Sequence, residues 1–172
     1  MHATLNTAGF YYLVEFLMGE MALLKHISSL LSKSTRYSNA FSSVYNLVLR
    51  LYLAKVFFSS GLLKVQNWGN TLHLYDSKYS VPLLPYEMAA YLGTAAELAI
   101  PVFLGLGLGA RLPAIGLFLF NVVAVYSYPT LWTDSGWCLM KDHLLWGVMC
   151  ATLFFHGSGK FSLDYLLVRK DT

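Results

Sequence analysis

Four stretches of mostly apolar residues, at 44–65, 87–108, 112–132 and 138–156, constrain this chain more than any other feature. A bilayer core is about 30 Å thick, and a helix rising about 1.5 Å per residue needs about 20 such residues to cross it. Each stretch meets that length. The second and third are separated only by residues 109–111, which predicts a tight hairpin between antiparallel helices, whereas Gln66 to Tyr86 forms the one long loop. Composition agrees. Hydrophobic residues make up 56% of the chain and charged residues 12%, against about 25% charged in a typical soluble domain. A mean hydropathy of +0.52 excludes a disordered chain, and a net charge of +3, dispersed along the sequence, excludes a nucleic-acid partner. The expected class is all-α: a membrane-embedded four-helix bundle whose first partner is the lipid bilayer.

The first 43 residues read differently. Phe10, Val14, Leu17, Met21, Leu24 and Leu31 share one side at helical spacing, and Glu15, Gly19, Ala22, His26 and Ser29 lie opposite. This pattern predicts an N-terminal amphipathic helix along the membrane surface. Residues 32–43 read as a polar linker. No basic leader or small-residue cleavage site marks a cleaved signal peptide. The expected organisation is 1–43 for helix and linker, 44–168 for the four-span domain and 169–172 for a short tail.

Basic residues set the orientation. Lys25, Lys33, Arg36, Arg50, Arg111, Lys160, Arg169 and Lys170 fall on the side of the termini, and only Lys64, Lys78 and Lys141 on the other. The positive-inside rule therefore predicts both ends in the cytoplasm. Trp68, Tyr75, Tyr79, Trp132 and Trp137 would then gather at the outer interface.

Ionisable residues inside a span are costly and default to functional hypotheses. Lys55 in the first span and Glu97 in the second fall near mid-membrane by residue count, which predicts that they pair or that one is neutral. Helical spacing also places Arg50, Ala54, Phe57, Gly61 and Lys64 on one stripe. If that stripe packs, Lys55 faces a crevice or a partner chain instead. Ala90, Gly93, Thr94, Glu97 and Pro101 share a face, and its small residues allow close helix approach. Pro101 has no N–H for the carbonyl of residue 97, so an acceptor is freed beside the carboxylate. Such a place suits a cation, a proton or a hydroxyl-bearing ligand; the alternative is a structural hydrogen bond to Arg50, Lys55 or Asn121. Asn121 on the third span reads first as interhelical glue. His143, beside Asp142 on the fourth, reads as an interfacial histidine or as a proton-handling group at an outward mouth with Lys64 and Trp68. No metal site is expected. Cys138 and Cys150, about 18 Å apart on one helix, cannot form a disulfide. No catalytic set is complete, so the sequence leaves open whether the chain is an enzyme.

Several motifs in order resemble those of the DoxX family of small four-helix membrane proteins. They are Arg50 with Ser60-Gly61-Leu62-Leu63-Lys64, Tyr79-Ser80-Val81-Pro82-Leu83-Leu84-Pro85, Thr94-Ala95-Ala96-Glu97-Leu98 with Pro101, and Gly107-Leu108-Gly109-Ala110-Arg111. Tyr128-Pro129 with Trp132 follows, and the run from Gly157 to Asp164 is similar to a closing signature in which Ser158 replaces the usual proline. The resemblance implies a bacterial inner-membrane protein. In some members it is linked to quinone-coupled oxidation of sulfur compounds, or to oxidative- and metal-stress systems, with a protein partner encoded nearby. Two expectations follow. In the first, a redox-associated subunit holds a quinone between the first, second and fourth spans, with Glu97 and His143 handling protons and Lys64, Trp68, Asn121, Lys55 and Asp142 as ligand-binding candidates. In the second, a non-catalytic membrane helper binds a small ligand or a partner.

Overall fold

The computed structural model describes the backbone of residues 7–170, the side chains of 41–167, and those of Met21, Lys25, His26, Ser28 and Ser29. Among the described residues the regular secondary structure is all helical, with no strand: α1 (Thr7–Gln66), α2 (Trp68–Ser77), α3 (Tyr86–Leu106), α4 (Arg111–Ser127), α5 (Trp137–His156) and α6 (Leu163–Lys170). Short 3-10 turns occupy Pro129–Trp132 and Asp134–Gly136. The chain divides into two compact units, Met1–Phe41 and Ser42–Thr172.

In the first unit the backbone is helical from Thr7. Most of the expected amphipathic face lies outside the described side chains; Met21 and His26, from opposite sides of it, are both exposed. Residues 32–43, read as a polar linker, are helical. They contain neither glycine nor proline, and serine, threonine and asparagine each cost a helix only a few tenths of a kcal/mol.

The second unit is an all-α membrane bundle. Phe41–Gln66, Tyr86–Leu106 and Asp134–His156 are long and apolar enough to cross a bilayer. The third predicted span is shorter than expected. α4 has 17 residues, about 25 Å at 1.5 Å per residue, and it stops at Ser127 because Pro129 forces Tyr128 into an extended conformation (φ −112°, ψ 90°). The 3-10 turn folds back, and Trp132 Nε1 donates to the Val125 carbonyl (3.1 Å), satisfying one of the last helical acceptors.

Leu49, Leu53 and Phe57 of α1, Leu104 of α3, Ala114 and Leu117 of α4, and Cys150 and Leu153 of α5 form the core. Cys150 is buried, Cys138 is exposed, and both are free thiols. The α3 face predicted to be interior is buried in full: Ala90, Gly93, Thr94, Glu97 and Pro101. Their small size allows contact with α1. A Cβ on Gly105 would lie 3.3 Å from that of Ala54, and one on Gly61 would lie 3.0 Å from that of Glu97. These pairs fix the antiparallel register of α1 on α3.

At the end of the bundle that holds the 107–111 turn, the 157–164 segment acts as a clasp. Arg50, fully buried, donates to the Phe161 carbonyl. Its guanidinium lies against Gly107 (φ +71°), where no side chain would fit. Asn46 Nδ2 donates to the Gly157 carbonyl (3.4 Å). The Asp164 carboxylate accepts from the N–H groups of Gly109 (2.7 Å) and Ala110 (3.3 Å), supplying the N-terminal cap that α4 lacks in its own sequence.

Candidate functional site

The site forms around Glu97, which α3 carries on its buried face one turn before the fully buried Pro101. Its partner is Lys64. Lys64 Nζ lies 2.5 Å from Glu97 Oε2 and donates to Ser60 Oγ at 2.9 Å, while Ser60 Oγ donates to Glu97 Oε1 at 3.3 Å. The lysine and glutamate side chains are only 14% and 8% exposed. Both belong to faces that helical spacing had singled out, the α1 stripe of Arg50, Ala54, Phe57, Gly61 and Lys64 and the small-residue face of α3.

The predicted pairing of Lys55 with Glu97 is therefore wrong. Lys55 is exposed, one position beyond Ala54, which packs on Gly105 near the end of α3. At about 1.5 Å per residue it lies only a few ångströms inside the α3 terminus, where a long lysine side chain can reach the interface. Residue counting failed because it centred α1 in the membrane, whereas the register shifts α1 along α3. Lys64 accordingly lies deeper than the outer mouth.

The segment 66–86 read as a loop contains α2, which covers the site. Trp68, Leu72, Tyr75 and Tyr79 recur at spacings of four, three and four, a helical signal that the loop reading missed; Tyr75 forms a small core with Ala89 and Ala90. Thr71 Oγ1 donates to the Lys64 carbonyl (3.0 Å), fastening α2 to the end of α1. The Tyr75 hydroxyl lies over Gly93, in the space a Cβ would take. Tyr75 stacks on Tyr79 at 4.8 Å and Tyr79 on Tyr128 at 5.0 Å. Burial, then the negative charge of Glu97, then that of neighbouring Tyr128 push the Tyr79 phenol up to about 12. The same order of burial, Glu97 and a neighbouring phenol (Tyr79) raises Tyr75. Trp68, half-buried, packs on Tyr91 with ring centres 4.6 Å apart.

Below this roof a cavity of about 260 Å³ lies between α3 and α4. Tyr75, Tyr79, Glu97 and Ser127 are among its lining residues, and Leu84, Leu92, Phe120 and Val123 make it apolar. Leu84, Leu92 and Val123 are exposed, so the cavity opens on the apolar flank of the bundle. Ser127 Oγ is buried and has no hydrogen-bond partner among the described residues. An apolar chamber lined by two tyrosines and a glutamate can hold an amphiphile by a carbonyl or hydroxyl and exchange protons with it.

His143 lines a different cavity, between α4 and α5, of about 440 Å³. Asn121 holds it there: Asn121 Oδ1 and His143 Nδ1 are 2.7 Å apart, and Asn121 Nδ2 donates to the His143 carbonyl at 2.9 Å. Glu97 and His143, expected in one pocket between the first, second and fourth spans, thus line two different cavities. Asp142 is exposed on α5 and lines neither. Among the described residues no group of three or more His, Cys, Asp or Glu is placed to hold a metal ion.

Comparisons with known proteins agree with this architecture. The family model described as DoxX matches residues 45–129. An uncharacterized protein of Haemophilus influenzae is 34% identical over 134 residues, covering 73% of this chain and 85% of its own length. No solved structure matches.

Proposed function

This chain belongs to the DoxX family, and from that premise we propose that it is a quinone-linked membrane subunit working with a redox partner protein. We place it in a bacterial inner membrane with both termini in the cytoplasm, following its basic residues. The α3–α4 cavity is the quinone site, and the observation that carries the reading is that Glu97, Tyr75 and Tyr79 line an apolar cavity open on the bundle flank.

The residues fit such a head group. Tyr75 and Tyr79 remain protonated phenols able to donate to a carbonyl. Leu84, Leu92 and Val123 leave an apolar opening on the bundle flank through which an isoprenoid tail extends. A bound quinone supplies two-electron, two-proton redox chemistry, the electrons coming from the partner. Glu97, which lines the cavity and is paired with Lys64 behind it, is the proton-handling group.

The test is organic extraction and mass spectrometry of quinone from protein purified without added quinone. We expect retention by the wild type and its loss in Val123→Trp, which fills the cavity from an exposed position. A wild type that retains none, and that does not alter quinone reduction by its co-purified partner, would refute the proposal. The helper reading draws on the same ion pair. Lys64 and Ser60 between them engage both Glu97 oxygens, an arrangement equally suited to holding α1 on α3. Under that reading the wild type retains no quinone, and a stable partner protein co-purifies whose abundance falls when this chain is deleted.

A further inference from the structure

The cavity between α4 and α5 contains a histidine with one nitrogen committed and the other free. The Asn121 amide resolves which is which. Its Nδ2 can only donate, and does so to the His143 backbone carbonyl at 2.9 Å. Oδ1, which can only accept, therefore faces His143 Nδ1 at 2.7 Å, so Nδ1 carries the ring proton. The neutral imidazole is left with a bare lone pair on Nε2, for which the described residues provide no hydrogen bond. Nor is Nε2 among the buried polar atoms that lack a partner, so it keeps accessible surface. The ring is held from the other side by Trp146, edge-on at 4.9 Å, itself packed on Phe57 at 5.6 Å. The imidazole is thus preorganised before any ligand arrives.

Around it the cavity of about 440 Å³ is apolar, and no acidic side chain lines it. Phe118, Val122, Leu144 and Val148 make the walls, and Tyr126 and Trp132, both exposed, form an aromatic rim. The volume is well beyond the roughly 150 Å³ that accommodates a benzene ring. A lining histidine with an accessible acceptor, two exposed aromatic residues and an opening on the bundle flank match a ring that donates one hydrogen bond and carries an apolar tail.

We infer that the α4–α5 cavity is a second binding site, selective for long-chain phenols, with His143 Nε2 accepting the phenolic hydroxyl. It uses no residue of the Glu97 cavity, so it stands or falls apart from the quinone reading.

The test uses the full chain in phospholipid nanodiscs with a diazirine-tagged 4-alkylphenol, its methyl ether and the alkanol of equal chain length. Labelled positions are mapped by mass spectrometry. The wild type is expected to label on α4 and α5 around Val122 and Val148, the phenol exceeding the ether by about five-fold, the ratio that one net hydrogen bond supplies. In His143→Phe that ratio falls to about one. In Val148→Trp, a replacement at an exposed wall position, labelling by phenol and ether both disappears from this cavity. Equal labelling by phenol and ether in the wild type would overturn the inference, as would labelling unaffected by Val148→Trp, or alkanol labelling as strong as that of the phenol. Val148→Trp keeps His143 and Asn121 intact, so the inference remains testable if His143→Phe does not fold.

Discussion

Removing one partner of the Lys64–Glu97 pair should destabilise the bundle far more than removing Lys55. The two groups are 2.5 Å apart, 14% and 8% exposed, and bound to Ser60. Losing one partner of a buried pair costs about 3–5 kcal/mol because the other charge is left without compensation. The residual exposure of Lys64 places Lys64→Met at the low end, about 3 kcal/mol. A domain of this size loses roughly 2–4 °C per kcal/mol, so the shift in Tm should be about 6–12 °C. Lys64→Met/Glu97→Gln removes both charges while keeping an acceptor for Ser60, and should lose less than the sum of the single variants by about 2 kcal/mol. Lys55→Met, at an exposed site, should move stability by no more than about 0.5 kcal/mol. The assay is thermal unfolding followed by a maleimide dye in a Cys138→Ser background, where buried Cys150 reports loss of the core. Additive single and double variants, or Lys55→Met matching Lys64→Met, would refute the pairing and the helix register behind it.

Three further outcomes are expected. Gly93→Ala places a methyl on the Tyr75 hydroxyl and should cost about 1–3 kcal/mol through overpacking, with Tyr75→Phe in the same chain recovering part of the loss in Tm. Asp164→Ala removes the carboxylate that caps α4 at Gly109 and Ala110; the same unfolding assay should read a loss of about 1 kcal/mol. Absorbance at high pH should show a tyrosine titrating near 12 that Tyr79→Phe removes. The unfolded phenol loses its proton at about 10, before the folded one does. The stability that Tyr79 contributes is therefore whole below about pH 10 and lost as pH rises towards 12.

Hydropathy and helical spacing alone determined the class, three of the spans to within a few residues, the interior face of α3 and the packing stripe of α1. These follow from local physics: a helix buries whichever stripe is small or apolar, and a proline fixes where the chain turns. The motif series from Arg50 to Asp164 also led to the family. Tertiary structure decided which charges meet. Lys55 and Lys64 are nine residues apart on one helix; spacing puts Lys64 on the packing stripe, and the seating of Ala54 on Gly105 and Gly61 on Glu97 brings it level with Glu97. Separating Glu97 from His143 into two cavities likewise depended on how α4 inserts between α3 and α5. Periodicity gives the direction a side chain takes from its own axis, but not how far one helix slides along another; that sliding is set by the close packing of the residues between them.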